Sequence, residues 1–79
     1  MSDHNPDKVL DLKGLPCPMP VVKISQEINT VEVGQVIEVH TTDPGSLSDF
    51  PAWAKSSGNE VLEAVQEEGL IRIFVKRLK

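Results

Sequence analysis

The spacing of apolar residues changes along the chain between the two-residue period of strands and the longer period of helices. Four short segments rich in β-branched or alternating apolar residues predict strands, at residues 9–12, 36–41, 60–66 and 70–78. In the last of these, Ile71, Ile73 and Val75 share one face, and a turn at Glu67-Glu68-Gly69 precedes it. The final two strands are therefore expected to form a hairpin.

An amphipathic helix is predicted over residues 21–28, because apolar residues recur at positions 21, 24 and 28. Proline is favoured at the first position of a helix, where its missing N–H costs nothing. We therefore expect Pro18 or Pro20 to supply the first helical position.

A second helix is predicted to begin at the segment Thr42-Asp43-Pro44. Asp43 is a favoured N-cap residue, and Pro44 suits the first turn. Apolar residues at positions 47, 50 and 54 share one face of this helix, and Gly58 is expected to end it. Pro51 falls inside the segment, so we expect it to restart the helix, with Asp49 as a second cap.

The order of elements, β-α-β-α-β-β, indicates the α/β (α+β) class. Two helices and four strands in so short a chain fit a two-layer sandwich, with two helices on one face of a four-stranded mixed sheet. The other face is expected to stay more polar, in keeping with Glu38, His40 and Arg72. Residues 1–8 are expected to form a flexible N-terminal tail, and residues 9–79 a single domain.

Composition and charge exclude several classes of function. The chain has 79 residues and a formal net charge of −4, which argues against a direct nucleic-acid binder, since such proteins normally carry a basic face. One cysteine cannot form an internal disulfide, residues 1–8 are polar, unlike a secretory signal, and no apolar run approaches membrane-spanning length. We therefore expect a reduced cytoplasmic protein that makes no membrane contact.

The single cysteine lies in the segment GLPCPMP, where a proline precedes it and another follows it. A residue that precedes proline is pushed toward extended dihedrals, and this applies in turn to Leu15, Cys17 and Met19, so the segment is predicted to be a stiff, extended arm. The start of the first helix favours the thiolate of Cys17, but Pro18 and Pro20 lack the N–H groups that would bind an anion. We therefore expect only a moderate lowering of the pKa of the thiol.

The segment Gly14-Leu15-Pro16-Cys17-Pro18-Met19-Pro20 resembles the Cys-Pro-x-Pro signature of the TusA/SirA family of small sulfur-carrier proteins. The similarity extends over about residues 9–76 and includes Thr42-Asp43-Pro44 followed by Asp49-Phe50-Pro51. The resemblance implies a two-layer sandwich and a role in which Cys17 accepts sulfane sulfur as a persulfide and passes it on. It also implies a frame around that thiol, formed by Gly14, Leu15, Pro18, Met19 and Pro20.

The resemblance implies protein partners and no bound cofactor. The donor would be a cysteine desulfurase or a rhodanese, the acceptor a DsrE-type protein, and the sulfur would serve 2-thiouridine synthesis in tRNA or sulfur oxidation. We expect a monomer. Many members carry a basic or small polar residue where this chain has Pro16, which leaves Lys13 and Lys23 as the nearest cations and leaves the donor open.

Other interpretations remain at this point. Cys17 is also consistent with a small buried hydrophobe, in which case the domain is a non-catalytic regulatory or protein-interaction module. An RNA-binding module is a weaker alternative, because the chain is acidic. His4 and His40 have no metal-ligand spacing with Cys17, so no metal site is expected, and His40 is expected at the surface rather than paired with the thiol. Phe50 and Trp53 are expected in the core, with an exposed docking patch as the alternative.

Overall fold

The computed structural model of the protein describes residues 6–16 and 18–79. Two helices pack on one four-stranded mixed sheet, which confirms the predicted class and element order. In chain order the elements are β1 (Lys8–Asp11), α1 (Met19–Glu27) with a 3₁₀ turn (Ile28–Thr30), β2 (Val36–Thr41), α2 (Ser46–Ser57), β3 (Glu60–Glu67) and β4 (Leu70–Lys76).

The sheet has the strand order β1-β2-β4-β3. The β1 and β2 strands are parallel, with Leu10 opposite Val39, whereas β4 is antiparallel to both of its neighbours. Parallel pairing requires a crossover, and α1 supplies it. The parallel pair therefore brings the ends of β1 and β2, and the loops that follow them, to the same edge of the sheet.

The hydrophobic core lies between the sheet and the helices. Its fully covered members include Ile24 on α1 and Phe50 on α2, and strand residues with the same inward direction pack against them. The inward-facing residues of β2 and β4 are Ile37, Val39, Ile71, Ile73 and Val75. Alternation with period two places these on one face of the sheet, as the sequence predicts.

The α1 helix begins earlier than predicted. Met19 is its first residue, Pro18 is the cap and Pro20 is the second helical residue, so neither proline occupies the first position. Proline is tolerated here because the first-turn N–H groups have no partner within the helix. The restriction on a residue before proline is a tendency, and at Met19 it is overridden.

The α2 helix is continuous through Pro51, so the predicted restart with Asp49 as a second cap is wrong. Proline removes one N–H from the helix, but Phe50 and Ala54 bury the face that holds α2 on the sheet. The start is also later than predicted, at Ser46, with Gly45 at the cap position and no side-chain cap bond, so the predicted capping role of Asp43 is wrong. The Asp43 side chain still accepts the Gly45 N–H, at 3.2 Å, so it supports the turn that leads into the helix.

The N-terminal boundary also differs from the predicted one. Lys8 is the first residue of β1 rather than the last residue of a tail. The Asp7 N–H donates to the Val36 carbonyl, at 2.7 Å, and the Asp7 carboxylate accepts the Val36 N–H, at 2.9 Å. The ordered contacts of the domain therefore begin by Asp7, and residues 1–5, with His4, lie outside the described residues.

The sheet face opposite the helices holds a charged network. Glu38 Oε2 lies 2.6 Å from His40 Nε2 and 3.2 Å from Arg72 Nε. Partial burial raises the pKa of Glu38, but the hydrogen bonds and charges of His40 and Arg72 outweigh it, and the net effect is a lowered pKa. Phe74 shares this face and is buried, with the Arg72 guanidinium 5.7 Å from its ring centre. This face is therefore less uniformly polar than expected.

Candidate functional site

The loop after β1 is fastened to the loop after β2. Gly14 has a positive φ of 83°, a conformation that glycine adopts without strain, and its N–H donates to Thr42 Oγ1 at 3.0 Å. The Leu15 N–H donates to the Leu12 carbonyl at 3.3 Å, and the Leu15 side chain packs against the core. Gly14 and Leu15 therefore fix the start of the predicted site loop.

Cys17 lies outside the described residues, and its two neighbours in the sequence are described. The Met19 N–H donates to the Pro16 carbonyl at 2.8 Å, and the Val22 N–H donates to the Pro18 carbonyl at 3.1 Å. A hydrogen bond between residues 16 and 19 is that of a turn. The predicted extended arm is therefore wrong for this part of the segment, which turns into α1.

The predicted frame residues divide into anchors and surface residues. Pro20 is buried and Leu15 is half-buried, so these two hold the loop on the core. Pro18 and Met19 are exposed, as is Gly14. The site loop thus presents its proline-rich turn at the surface of the domain.

An open cleft of about 420 Å³ lies beside Pro18, between α1 and α2. Its lining residues are Pro18, Val21, Asp49, Ala52, Trp53 and Ser56. Trp53 is half-buried and meets the buried Phe50 edge to face, with 6.4 Å between ring centres. Phe50 is therefore a core residue, whereas Trp53 both packs on the core and lines the cleft.

A second open cleft, of about 290 Å³, lies beside Pro16. Its lining residues are Gly14, Leu15, Pro16, Thr42, Asp43 and Pro44. Asp43 Oδ1 accepts the Gly45 N–H, whereas Asp43 Oδ2 is covered from solvent and accepts no hydrogen bond from the described residues. A buried carboxylate oxygen without a partner costs stability, so this atom is a candidate for function.

The carboxylates of Asp43 and Asp49 both lie close to Gly45. A Cβ atom built on Gly45 would lie 3.5 Å from Asp43 Oδ2 and 3.6 Å from Asp49 Oδ2. The sequence analysis assigned both residues only as helix caps. A role near the site could have been suspected because Asp43-Pro44 and Asp49-Phe50-Pro51 are both segments that resemble the family.

Within the described residues, no three His, Cys, Asp or Glu side chains are grouped as a metal site. His40 lies on the sheet face away from both helices and is engaged with Glu38, which favours its interpretation as a surface residue. None of the described helices has the length and apolar character needed to cross a membrane.

The arrangement of two helices over a mixed sheet is that of SirA-like proteins. The crystal structure of a SirA-like protein from Desulfitobacterium hafniense superposes with a TM-score of 0.78, over 91% of this chain and 99% of that chain, at 22% identity. At that identity the likeness concerns the fold alone.

Sequence relationships define the family more narrowly. Residues 8–77 match the family described as Sulfurtransferase TusA, and the chain belongs to that family. The YrkI protein of Bacillus subtilis strain 168 is 45% identical over 71 residues, which are 90% of this chain and 95% of that protein. The protein named sulfur carrier protein TusA from Allochromatium vinosum is 42% identical over 71 residues, 90% of this chain and 93% of that protein.

Proposed function

We propose that this protein is a sulfur carrier that accepts sulfane sulfur as a persulfide on Cys17 and passes it to a partner protein. The observation that carries the proposal is the site loop. Its motif matches the family signature, and its turn is at the surface, with Pro16 and Pro18 exposed next to Cys17 and an open cleft beside each of them. The 42% identity to a protein named sulfur carrier protein TusA supports the same role.

The chemistry needs only a thiolate on this chain. The Cys17 thiolate attacks the outer sulfur of a donor persulfide, a new sulfur–sulfur bond forms, and the donor cysteine leaves as a thiolate. An acceptor thiolate then attacks the carried sulfur and releases the Cys17 thiolate. Both steps are exchanges without net oxidation, so they require no cofactor. No second cysteine exists in this chain to discharge the persulfide internally.

The surface around the loop suits a protein partner. Met19, within the motif, and Val22, two residues after it, are exposed apolar residues on α1, and Trp53 lines the adjacent cleft. Apolar and aromatic residues are the usual centre of a transient protein interface. The donor in this proposal is a cysteine desulfurase or a rhodanese, and the acceptor is a DsrE-type protein. Synthesis of 2-thiouridine in tRNA and sulfur oxidation are the two pathways to distinguish.

Loading with a desulfurase tests the proposal. The purified protein is incubated with a cysteine desulfurase and free cysteine, and in parallel with a rhodanese and thiosulfate. Intact mass spectrometry should show a species heavier by one sulfur atom, which a reductant removes. Cys17→Ser should fold and show no such species.

A relocated thiol is the matched control. Ser25 is exposed on α1, so Cys17→Ser combined with Ser25→Cys keeps one accessible cysteine but removes it from the loop. This variant should load far more slowly than the wild type. If neither donor loads the wild-type protein, and a thiol reagent labels Cys17 only after denaturation, the carrier proposal is wrong and the interaction module is the better account.

A further inference from the structure

Two carboxylates from the start of α2 flank the loop that carries the cysteine. Asp43 shares a cleft with Pro16, and Asp49 shares the other cleft with Pro18. Pro16 and Pro18 are the two sequence neighbours of Cys17. Each carboxylate therefore lies in a cleft that reaches one neighbour of the proposed sulfur-bearing residue.

The Asp43 carboxylate is only half satisfied. Its Oδ1 atom accepts the Gly45 N–H at 3.2 Å, whereas Oδ2 is covered from solvent and, within residues 6–16 and 18–79, has no hydrogen-bond donor. Asp49 Oδ2 is also close to Gly45, since a Cβ added to Gly45 would lie 3.6 Å from this oxygen. Negative charge is thus concentrated at the start of α2, next to the site loop.

The start of α1 offers little to offset that charge. Pro18 and Pro20 have no N–H, and the N–H groups of Met19 and Val22 donate to the carbonyls of Pro16 and Pro18. Few donors are therefore left to stabilise an anion at this helix start. The nearest lysine before the motif, Lys13, lies 3.7 Å from the Asp11 carboxylate, which partly balances its charge. The next lysine, Lys23, follows on α1 one turn after Met19.

We propose that Asp43 and Asp49 keep the fraction of Cys17 thiolate low in the free protein, and that a cationic side chain of the sulfur donor entering the Asp43 cleft relieves this restraint. The first half follows because like charges disfavour each other's ionisation. The second follows because Asp43 is half-buried and lines the cleft, so a guanidinium or ammonium group held there would offset the charge of its carboxylate. The inference rests on the proposed function for the identity of the reacting thiol.

The test measures thiol reactivity directly. An uncharged aromatic disulfide, dithiodipyridine, labels the folded wild type, Asp43→Asn, Asp49→Asn and the double variant across a range of pH. Because the nucleophilicity of a thiolate falls as its pKa falls, a pKa lower by one unit should speed labelling near neutral pH by about threefold, rather than tenfold. We expect each variant to label faster than the wild type and its pH profile to move to lower pH. The double variant should move furthest.

A matched control separates this effect from a general loss of negative charge. Glu32 is exposed in the turn before β2, at the end of the sheet away from the site loop, so Glu32→Gln should label like the wild type. Wild-type labelling should also quicken with added salt, which screens the carboxylates without changing the chain. Aspartate variants that label at the wild-type rate or more slowly, with no salt effect on the wild type, would overturn the inference.

Sulfur loading by a donor protein tests whether a cationic side chain of that donor relieves the restraint. With a cysteine desulfurase and free cysteine, wild-type loading should slow as salt rises, and the double variant should lose most of that dependence. Faster labelling of the variants without any loading of the wild type would leave the restraint standing and defeat the carrier proposal. Normal loading of the wild type, with the aspartate variants labelled at the wild-type rate, would support the carrier proposal and defeat the restraint. Loading whose salt dependence is the same in both proteins would exclude a cation in the Asp43 cleft.

Discussion

Two partly buried carboxylates of this small domain are held in opposite ways. Glu38, on the open face of the sheet, has His40 and Arg72 within hydrogen-bond distance, and its pKa is lowered. Asp43, beside the site loop, has one oxygen on a backbone N–H and one covered oxygen that no group in the described part of the chain bonds. A folded chain that only needed stability would satisfy both. The difference separates a carboxylate that holds the sheet together from one that the fold leaves available.

Removing the charge of the satisfied carboxylate should have the largest effect. Glu38→Gln weakens the hydrogen bonds with His40 and Arg72 and leaves the guanidinium with the exposed Glu67, 3.2 Å away, as its carboxylate partner. We expect the free energy of unfolding to fall by about 1–3 kcal/mol, as for hydrogen bonds to charged groups. Denaturant melts measure this, with Glu32→Gln as the control for an exposed carboxylate. A loss below about 0.5 kcal/mol would show that the network is a surface feature without consequence.

Acid should remove the contribution of Glu38 to the free energy of unfolding. The folded pKa of Glu38 is lower than the unfolded one, so its contribution is present above the unfolded value, about 4.5, and is lost as pH falls through the folded value. Below that ordinary value the wild type should lose stability more steeply than Glu38→Gln. Melts at several pH values between neutrality and about pH 3 follow this loss. Parallel curves for the two proteins would contradict the assignment.

Asp43 should show a smaller effect that depends on the replacement. Asp43→Ala removes the turn bond to the Gly45 N–H and should cost about 0.5–1.5 kcal/mol. Asp43→Asn keeps an acceptor for that N–H and replaces the carboxylate by an amide, so it should stay within about 0.5 kcal/mol of the wild type, since Asn makes the same two-residue turn bond. Equal losses for the two variants in denaturant melts would mean that the charge of Asp43, and not its bond to the Gly45 N–H, supports the fold.

Gly45 should be the most tolerant of these positions. An added Cβ would lie 3.4 to 3.6 Å from three carboxylate oxygens, which is ordinary contact, and the backbone there has a φ of −61°. Gly45→Ala should therefore change the free energy of unfolding by less than about 1 kcal/mol. A larger loss would show that the two carboxylates are packed too tightly over Gly45 to admit a methyl group.

Most of the fold could be predicted from local pattern. The β2 strand has the predicted bounds because its β-branched run lies between clear turn signals, and the hairpin follows from Gly69. The errors occur where tertiary packing overrides a local preference. Met19 is helical although it precedes a proline, and α2 continues through Pro51 because its apolar face is buried on the sheet. Both outcomes depend on contacts that a single segment does not contain.

The candidate site was only half predictable. The motif predicts Cys17 and its frame as the site, and this assignment stays a prediction. The approach of Asp43 and Asp49 to the loop depends on the parallel pairing of β1 and β2, which brings two loops to one edge, and on the turn at Gly45. Spacing along the chain does not reveal either contact, so these residues were interpreted only as caps.

Single-turnover transfer tests the central claim most directly. The protein is loaded with labelled sulfur by a cysteine desulfurase, separated from the donor and mixed with a DsrE-type acceptor. Peptide mapping should place the label on Cys17 before mixing and on an acceptor cysteine afterwards, with the carrier returned to its unloaded mass. Cys17→Ser should give no label at either stage. Label that never reaches the wild-type carrier, or that reaches the acceptor equally well through Cys17→Ser, would contradict the account.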